Sequence, residues 1–278
     1  MFKSVALPNK EFETKEDLFK SLKENKDKII ALKKGVVKYS QPFSISNQTA
    51  TKNSRFDSGY IYPVINTTNV QDSHLDCHLK GIWNKTVNEQ QGKVHYLINH
   101  KHEIGSVIAY PKDVEMIIEN MNFKDLGSDY NGTTEALIFK TNVFDYSNND
   151  AANVVKNKIP MQNSISMIYV KIEMGINSTD KDFAEEKKVW DKYHNEVVNK
   201  DFLYDNGHCF FISEAKIHRE GSMVLAGSND QTPILYPESK EQYENLEYVL
   251  GKENFVLLSK ALEEIKPQKK NNLYKTLS

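Results

Sequence analysis

The run IPMQNSISMIYVKIEMGI (159–176) decides the fold class, because it is the longest stretch of the chain with the composition of a β-strand. Similar segments precede and follow it, namely GYIYPVI (59–65), EALIFKTNVF (135–144) and HCFFISEAKIHREGSMVLAG (208–227). Polar loops separate these segments, as is typical of short strands joined into an antiparallel sheet. The sequence therefore predicts a sheet as the centre of the fold.

Helical patterns lie between the predicted strands and outside them. In residues 16–35 apolar side chains recur at helical spacing until Gly35, and the charged segment 179–202 carries an apolar stripe. The segment KDVEMIIENM (112–121) is also predicted to be a helix, because its apolar residues would share one helical face. Helices together with an antiparallel sheet give the class α+β.

The chain divides into three predicted parts. Residues 1–35 form a basic amphipathic arm, residues 36–240 form the sheet-containing domain, and residues 241–278 form a C-terminal helix with a basic tail. The arm has two readings: it packs on the domain as a solvated helix, or it docks onto an assembly partner.

Composition excludes several classes of protein. Among 278 residues, 36 are basic and 38 acidic, and the formal net charge of −2 provides no positive field for nucleic acid. Cys77 and Cys209 are too few for a disulfide framework and do not form a CxxC pair. There is no apolar stretch of about 18 residues that could span a bilayer. We expect a soluble, cytoplasmic protein with no nucleic-acid or membrane partner.

Motifs for cofactors are missing from the sequence. It contains no GxxxxGK[ST], no GxGxxG and no HExxH, so we predict no cofactor and no bound metal. One alternative stays open at DSHLDCH (72–78), whose side chains are good metal ligands although their spacing matches no zinc pattern. As a regular strand it would place four of them on one face. These four residues are Asp72, His74, Asp76 and His78, with Cys77 on the opposite face.

Serine, histidine and carboxylate side chains on predicted strands suggest nucleophilic catalysis. Ser164 and Ser166 stand two residues apart in the longest strand, and the alternating segment VHYLIN delivers His100 at its end. Glu214 and Glu220 occur in the strand-like segment 208–227. A serine nucleophile needs a base and an acid that orients this base. The residue types fit this chemistry, and they also fit ordinary strand hydroxyls, structural histidines and solvent-facing carboxylates.

The order of several segments resembles that of phage prohead proteases, especially those of crAss-like tailed phages. This resemblance identifies His100, in LINH, as the base, Ser164 as the nucleophile and Glu220, in EGS, as the acid, with Glu214 as the alternative acid. The resembling segments lie within about residues 30 to 235. They are DSHLD with GIWNKTV, YLINHKHEIGSVIAYPKDVE, NFKDLG with TEALIF, QNSISMIYVKIEMGIN, KKVWDKYHNEVVNK and ISEAKIHREGSMVLAGSNDQTP.

Two residues depart from the pattern of that family. Asn163 stands where the related sequences often have histidine, and Ser166 stands where glycine is usual. These departures keep open the alternative of a catalytically inactive relative that acts as a scaffold or an internal head structural protein.

The resemblance implies an assemblin-like fold, a mostly antiparallel β-barrel surrounded by helices, with the protease domain at residues 36–240. It also implies a serine endopeptidase that cleaves scaffold and major capsid precursor proteins inside the phage prohead, within the host cytoplasm. Self-cleavage and homo-oligomerisation are left open. If the assignment is correct, an imidazole nitrogen of His100 should lie within roughly 4 Å of the Ser164 hydroxyl.

Overall fold

Two β-sheets carry the fold in residues 1–38, 52–53, 56–57 and 59–237, which are the residues that a computed structural model of the chain describes. Together with the helices they confirm the predicted α+β class. The strands are β1 (Lys52–Asn53), β2 (Tyr62–Thr67), β3 (Asp76–His78), β4 (His95–Ile98), β5 (Val107–Ala109), β6 (Val114–Asn122), β7 (Thr133–Thr141), β8 (Gln162–Ile176), β9 (His208–Val224) and β10 (Ile234–Pro237). The α-helices are α1 (Lys15–Glu24), α2 (Lys26–Gly35), α3 (Asn84–Gln90), α4 (Asn149–Lys156), α5 (Ala184–Tyr193) and α6 (Lys200–Asn206).

The first sheet has the strand order β1-β10-β2-β7-β6. Its longest pairing joins β6 to β7 without a register break, from Val114 opposite Thr141 to Asn122 opposite Thr133. The predicted helix at 112–121 is therefore wrong. Its apolar residues serve both faces of a strand, since Met116 and Ile118 pack in the main core whereas Ile117 and Met121 pack in a second cluster. Burial on both faces removes the alternation that normally marks a strand.

The second sheet is built around β9, which is 17 residues long. One edge of β9 pairs in parallel with β3 and then with β4, and β4 pairs with β5. The other edge pairs antiparallel with β8. The long run at 159–176 thus contains a single strand of 15 residues, β8, as predicted. Its partner β9 is the predicted strand at 208–227.

The two sheets meet where β8 begins. Gln162 forms a bridge with Pro233, and the backbone N–H of Asn163 donates to the carbonyl of Thr232, which precedes β10, at 2.9 Å. Most strand pairings in the described part of the chain are antiparallel, the exceptions being β1 with β10 and β9 with β3 and β4. No closed barrel is found among the described residues.

The first 35 residues form two helices where the sequence pattern predicted one. Asn25 separates α1 from α2, and its side-chain amide donates to the Ser21 carbonyl at 2.8 Å. Leu22 and Ile29 belong to the main core. The chain divides into a compact unit Met1–Pro237 and a unit Glu238–Ser278. Both helices are thus part of the unit that contains the sheets, whereas the predicted C-terminal helix and tail (241–278) lie outside the described residues.

A helical insertion joins β8 to β9, as predicted from the charged segment 179–202. Phe183 and Trp190 are fully buried, and they anchor α5 on the second sheet. At Gly175 in β8 an added Cβ would lie 2.8 Å from the Phe211 ring and 3.0 Å from the backbone nitrogen of Trp190, so only glycine allows this close approach. Among the described helices none is both long enough and apolar enough to cross a bilayer.

Candidate active site

Three neighbouring strands of the second sheet bring the predicted serine, histidine and acid together. Ser164 on β8 stands opposite Ser222 on β9, and Glu220 precedes Ser222 by two residues on the same strand. On the other edge of β9, His95 of β4 is in register with Glu220, and the chain leaves β4 to reach His100. Strand register, rather than closeness in sequence, therefore assembles the group.

The distances are those of a hydrogen-bonded chain from hydroxyl to imidazole to carboxylate. Ser164 Oγ lies 2.7 Å from His100 Nε2, and His100 Nδ1 lies 2.7 Å from Glu220 Oε1. The expectation of a separation within roughly 4 Å between Ser164 and His100 is met. Both contacts lie within the range of strong hydrogen bonds.

The carboxylate decides how the imidazole is used. Glu220 is 0% exposed, and an ionised carboxylate can only accept hydrogen bonds. With Glu220 ionised and His100 neutral, Nδ1 carries the proton and donates it to Glu220, which leaves the lone pair of Nε2 directed at the Ser164 hydroxyl. This is the tautomer in which an imidazole can remove the proton of a serine.

A left-handed turn places His100 over the sheet. Asn99 has φ +53° and His100 has φ +56°, and the N–H of Lys101 donates to the carbonyl of Ile98 at 3.1 Å. Asparagine and histidine adopt this conformation more readily than most residues. The N–H of Asn99 also donates to the Met223 carbonyl at 3.0 Å, so the turn stays attached to β9.

The pairing of β8 and β9 is irregular beside Glu220. The register jumps between the pair Ile165–Gly221 and the pair Met167–Ile217, so that residues 218–220 of β9 face Ser166 alone. Arg219, in the middle of this bulge, has φ +71°. Bulges redirect side chains, and they recur next to active sites.

Gly221 allows the two sheets to approach each other beneath the site. An added Cβ would lie 2.8 Å from the Phe139 ring and 2.9 Å from Cγ2 of Ile65, both of which belong to the first sheet. Since successive side chains of a strand alternate between its faces, Glu220 and Ser222 point away from this contact. The core thus supports the strand from below while its polar face holds the site.

Glu214, the alternative acid, does not contact His100. It lies six residues before Glu220 on β9, and its carboxylate pairs with Lys171 at 2.7 Å and with Lys85 at 3.4 Å. Six residues of strand span roughly 20 Å, so one position of the imidazole cannot serve both acids. The geometry therefore assigns the contact with the imidazole to Glu220.

The two departures from the family pattern have structural partners. The amide oxygen of Asn163 accepts from the Tyr96 hydroxyl at 2.6 Å, while its amide nitrogen donates to the Thr232 carbonyl at 3.0 Å. The side chain of Asn163 therefore links the start of β8 to the segment before β10 by a hydrogen bond. Ser166 Oγ lies 3.5 Å from His218 Nδ1.

The metal reading of DSHLDCH is not supported. Leu75 has φ +59° and bends the segment, so that only Asp76–His78 is a strand and the one-faced arrangement of a regular strand is not formed. Asp72 Oδ1 accepts the N–H groups of His74 and Asp76, both at 2.9 Å, and acts as a backbone cap. Among the described residues there is no group of three or more His, Cys, Asp or Glu side chains that could hold a metal ion.

Asp76 instead belongs to a buried hydrogen-bonded group that also contains Lys33, Tyr169, His78 and Asn66. Lys33 Nζ pairs with Asp76 Oδ1, and the Tyr169 hydroxyl donates to Asp76 Oδ2 at 2.8 Å. His78 lies between Tyr169 and Asn66, at 3.3 Å and 3.1 Å. Burial lowers the pKa of His78 to about 4, so this imidazole is neutral at physiological pH.

No protein-family model, no curated protein and no solved structure matches this chain. What is known of the site therefore comes from its own geometry.

One member of the site was missed by the sequence interpretation. Ser222 Oγ donates to Glu220 Oε2 at 2.6 Å and accepts the backbone N–H of His100 at 3.1 Å. A signal for it exists in the sequence, because a residue two positions after the acid shares its face of the strand.

Access to the nucleophile is limited in this structure. Ser164 is 2% exposed, and the side chain of His100 is 11% exposed. A substrate carbonyl can reach Ser164 Oγ only after a neighbouring group has moved. Small electrophiles should therefore react with this serine more readily than bulky ones.

Proposed function

We propose that the chain is a serine endopeptidase in which Ser164 is the nucleophile, His100 the general base and Glu220 the acid that orients the base. The single observation that carries the proposal is the continuous hydrogen-bonded chain of these three side chains, with two links of 2.7 Å. Ser164 and Glu220 lie on strands and His100 lies in the turn that directly follows β4, and rigid elements position reacting groups better than loops do.

The proposed reaction proceeds in two halves. Ser164 Oγ attacks the carbonyl carbon of the scissile peptide, and its proton passes to His100 Nε2. Glu220 stabilises the imidazolium that results. The tetrahedral intermediate collapses, the C–N bond breaks, and His100 gives the proton to the leaving amine. Water then attacks the acyl-enzyme with His100 again acting as base, and the acid product leaves as Ser164 regains its proton.

We further propose that the substrates are scaffold and major capsid precursor proteins, cleaved inside a phage procapsid within the host cytoplasm. The support is the resemblance of the segments around His100, Ser164 and Glu220 to those of prohead proteases. In such an enzyme the assemblin-like barrel would be completed around the two sheets. The mainly antiparallel pairing and the contact between the sheets at Gln162 and Pro233 are compatible with this fold.

A second candidate function is that of an inactive scaffold or internal head protein of the same family. The observation that favours it is the 2% exposure of Ser164. A relative that has lost its substrate cleft could retain the three side chains as a structural hydrogen-bonded group.

Labelling with a short alkyl fluorophosphonate separates the two candidates. The probe tests the nucleophile without knowledge of the substrate: an O–P bond forms at Ser164, the P–F bond breaks, fluoride leaves, and the proton goes to His100. We expect intact-mass spectrometry to show one adduct and peptide mapping to place it on Ser164. Ser164→Ala should abolish the adduct, whereas Ser166→Ala, the matched control on the same strand, should keep it.

Cleavage of a protein substrate tests the peptidase itself. The chain is co-expressed with candidate capsid and scaffold precursors, and the new N-termini are sequenced. We expect cuts with the wild type and with Ser166→Ala, and none with Ser164→Ala. A wild-type protein that is folded but neither acquires the adduct nor cuts any precursor, itself included, would establish the structural role instead.

A further inference from the structure

We propose that Ser222 is a positioning residue that holds both the acid and the base of the site through one hydroxyl group. This proposal rests on the proposed function, because it assigns a role within that same reaction. Ser222 is 0% exposed and lies on β9, between β8, which carries Ser164, and β4, which the chain leaves to reach His100. Its hydroxyl is bonded to Glu220 and to the backbone of His100, so it acts through these two residues and not on the substrate.

The hydroxyl is used in both directions. As a donor, Ser222 Oγ bonds Glu220 Oε2 at 2.6 Å, and as an acceptor it takes the backbone N–H of His100 at 3.1 Å. A serine hydroxyl has one proton and two lone pairs, so it can do both at once. The contact therefore links the carboxylate of the acid to the main chain of the base.

The bond to Glu220 fixes the carboxylate. One oxygen of the Glu220 carboxylate faces His100, and the other faces Ser222. The side chains of Glu220 and Ser222 lie on the same face of the sheet. Without the hydroxyl, a carboxylate that is 0% exposed would lose a donor, and leaving such a group unpaired is costly. The carboxylate would then be free to rotate, and this rotation weakens its control of the imidazole tautomer.

The bond to His100 stabilises an uncommon backbone conformation. His100 has φ +56°, and its N–H points back at the sheet, where Ser222 accepts it. A non-glycine residue in this region persists only where its surroundings hold it. The side chain of Ser222 thus stabilises two things: the turn that presents the imidazole, and the carboxylate that orients this imidazole.

Ser222→Ala removes both bonds and little volume. We expect the rate of fluorophosphonate labelling at Ser164 to fall about 10- to 100-fold, the range for loss of a hydrogen bond to a charged group. Ser166→Ala is the matched control, because it removes another fully buried serine hydroxyl on the adjoining strand and should leave the rate within about twofold of wild type. A conservative Ser222→Thr keeps the hydroxyl and should restore most of the lost rate.

A second readout does not depend on activity. The Nδ1–H proton that His100 donates to Glu220 should give an NMR resonance far downfield, absent in His100→Ala. We expect this resonance to shift or broaden in Ser222→Ala, to stay unchanged in Ser166→Ala and to return in Ser222→Thr. A purely structural serine would lower thermal stability without moving this resonance in the folded protein.

The outcomes separate this proposal from the proposed function. Absence of the Ser164 adduct in the wild type would defeat the enzyme assignment, while the NMR comparison would still test the positioning of His100. A folded Ser222→Ala with wild-type labelling and an unchanged resonance would overturn the role of Ser222. If Ser222→Ala does not fold, Ser222→Cys adds only a little volume and provides a weaker donor; an intermediate rate supports the proposal, and a wild-type rate with an unchanged resonance contradicts it.

Discussion

Two buried hydrogen-bonded groups in this protein both contain a hydroxyl, an imidazole and a carboxylate, but in a different order. The site group consists of Ser164, His100, Glu220 and Ser222, and the Asp76 group consists of Lys33, Asp76, Tyr169, His78 and Asn66. Each is centred on a carboxylate that is almost fully buried, Glu220 at 0% and Asp76 at 1% exposure. Residues of β8 belong to both groups.

The order of the side chains separates a reactive group from an inert one. In the site group the imidazole lies between the hydroxyl and the carboxylate, so the carboxylate can stabilise a proton that the imidazole has taken from the hydroxyl. In the Asp76 group the hydroxyl of Tyr169 lies between His78 and Asp76 and donates to the carboxylate. His78 therefore has no carboxylate on its far side to support a positive charge.

The two groups also differ in the side chains that contact the buried carboxylate. Lys33 Nζ forms a salt bridge with Asp76, and it also lies 4.4 Å from the centre of the Phe210 ring. Glu220 is met by a titratable imidazole and a neutral hydroxyl. A fixed ion pair has little freedom to move protons, whereas the pairing at Glu220 can change its charge during a reaction. The comparison predicts that damage to the Asp76 group lowers stability, whereas damage to the site group lowers reactivity.

The largest effect is expected from Glu220→Gln. Ser222 donates a hydrogen bond to one oxygen of the Glu220 carboxylate. In the variant the amide oxygen should therefore face Ser222, and the amide nitrogen should face His100. The imidazole would then carry its proton on Nε2, towards Ser164, where it cannot act as a base. We expect the fluorophosphonate labelling rate to fall by about 10³- to 10⁴-fold. A folded variant that labels at the wild-type rate would refute the assigned role of Glu220.

The next effect is expected in stability, from Asp76→Asn. This change leaves the charge of Lys33 buried without its partner, which costs about 3–5 kcal/mol of unfolding free energy. Urea denaturation measures the loss. The double variant Lys33→Met with Asp76→Asn removes both charges and should recover most of it. Labelling of Ser164 in the folded fraction should stay within about twofold of wild type; a large loss there would mean that the two groups are not independent.

An effect that is smaller for each pH unit concerns the pH dependence of stability. Burial, with a further contribution from the charge of Asp76, raises the pKa of Asp72 from 3.8 to about 8. Because the folded state holds this proton more tightly than the unfolded state, the stabilisation is complete below about pH 4 and is lost as the pH rises towards 8. Each group of this kind changes the free energy of unfolding by at most about 1.4 kcal/mol per pH unit.

Asp72→Asn tests that dependence, since its amide oxygen can still accept the N–H groups of His74 and Asp76. We expect the variant to gain stability relative to wild type as the pH rises from 4 to 8, as measured by urea denaturation at each pH. Burial lowers the pKa values of His78 and His208 to about 4, and this affects both proteins alike, so the difference between them isolates Asp72. A constant difference across this range would contradict the raised pKa.

The sequence predicted the strands that are long and rich in β-branched and aromatic residues. It failed at 112–121, where burial of both faces of β6 produced the spacing of a helix. The sequence also could not show that DSHLDCH is bent, because a left-handed Leu75 is not visible in the residue types. Local composition thus identified most elements, while packing on two faces and backbone bends depend on the rest of the fold.

For the candidate site, sequence order suggested Ser164, His100 and Glu220, but it could not choose between the two acids. Glu214 and Glu220 are six residues apart, so an ideal strand would place both on one face. The choice depends on the register of β4 against β9, which pairs His95 with Glu220. Such register joins residues more than 100 positions apart and has no local signature.

The smallest effect is expected from Glu214→Gln, the matched counterpart of Glu220→Gln on the same strand. Its partners Lys85 and Lys171 have side chains that are mostly exposed, and solvent screens such pairs strongly. Loss of the charge should leave both the labelling rate and the urea midpoint close to wild type. If Glu214→Gln lowered labelling as much as Glu220→Gln, the acid would not be defined by its contact with His100, and the distinction between the two carboxylates would have to be abandoned. The pair of variants therefore tests whether the position of an acid in the register, rather than its presence on β9, determines its role.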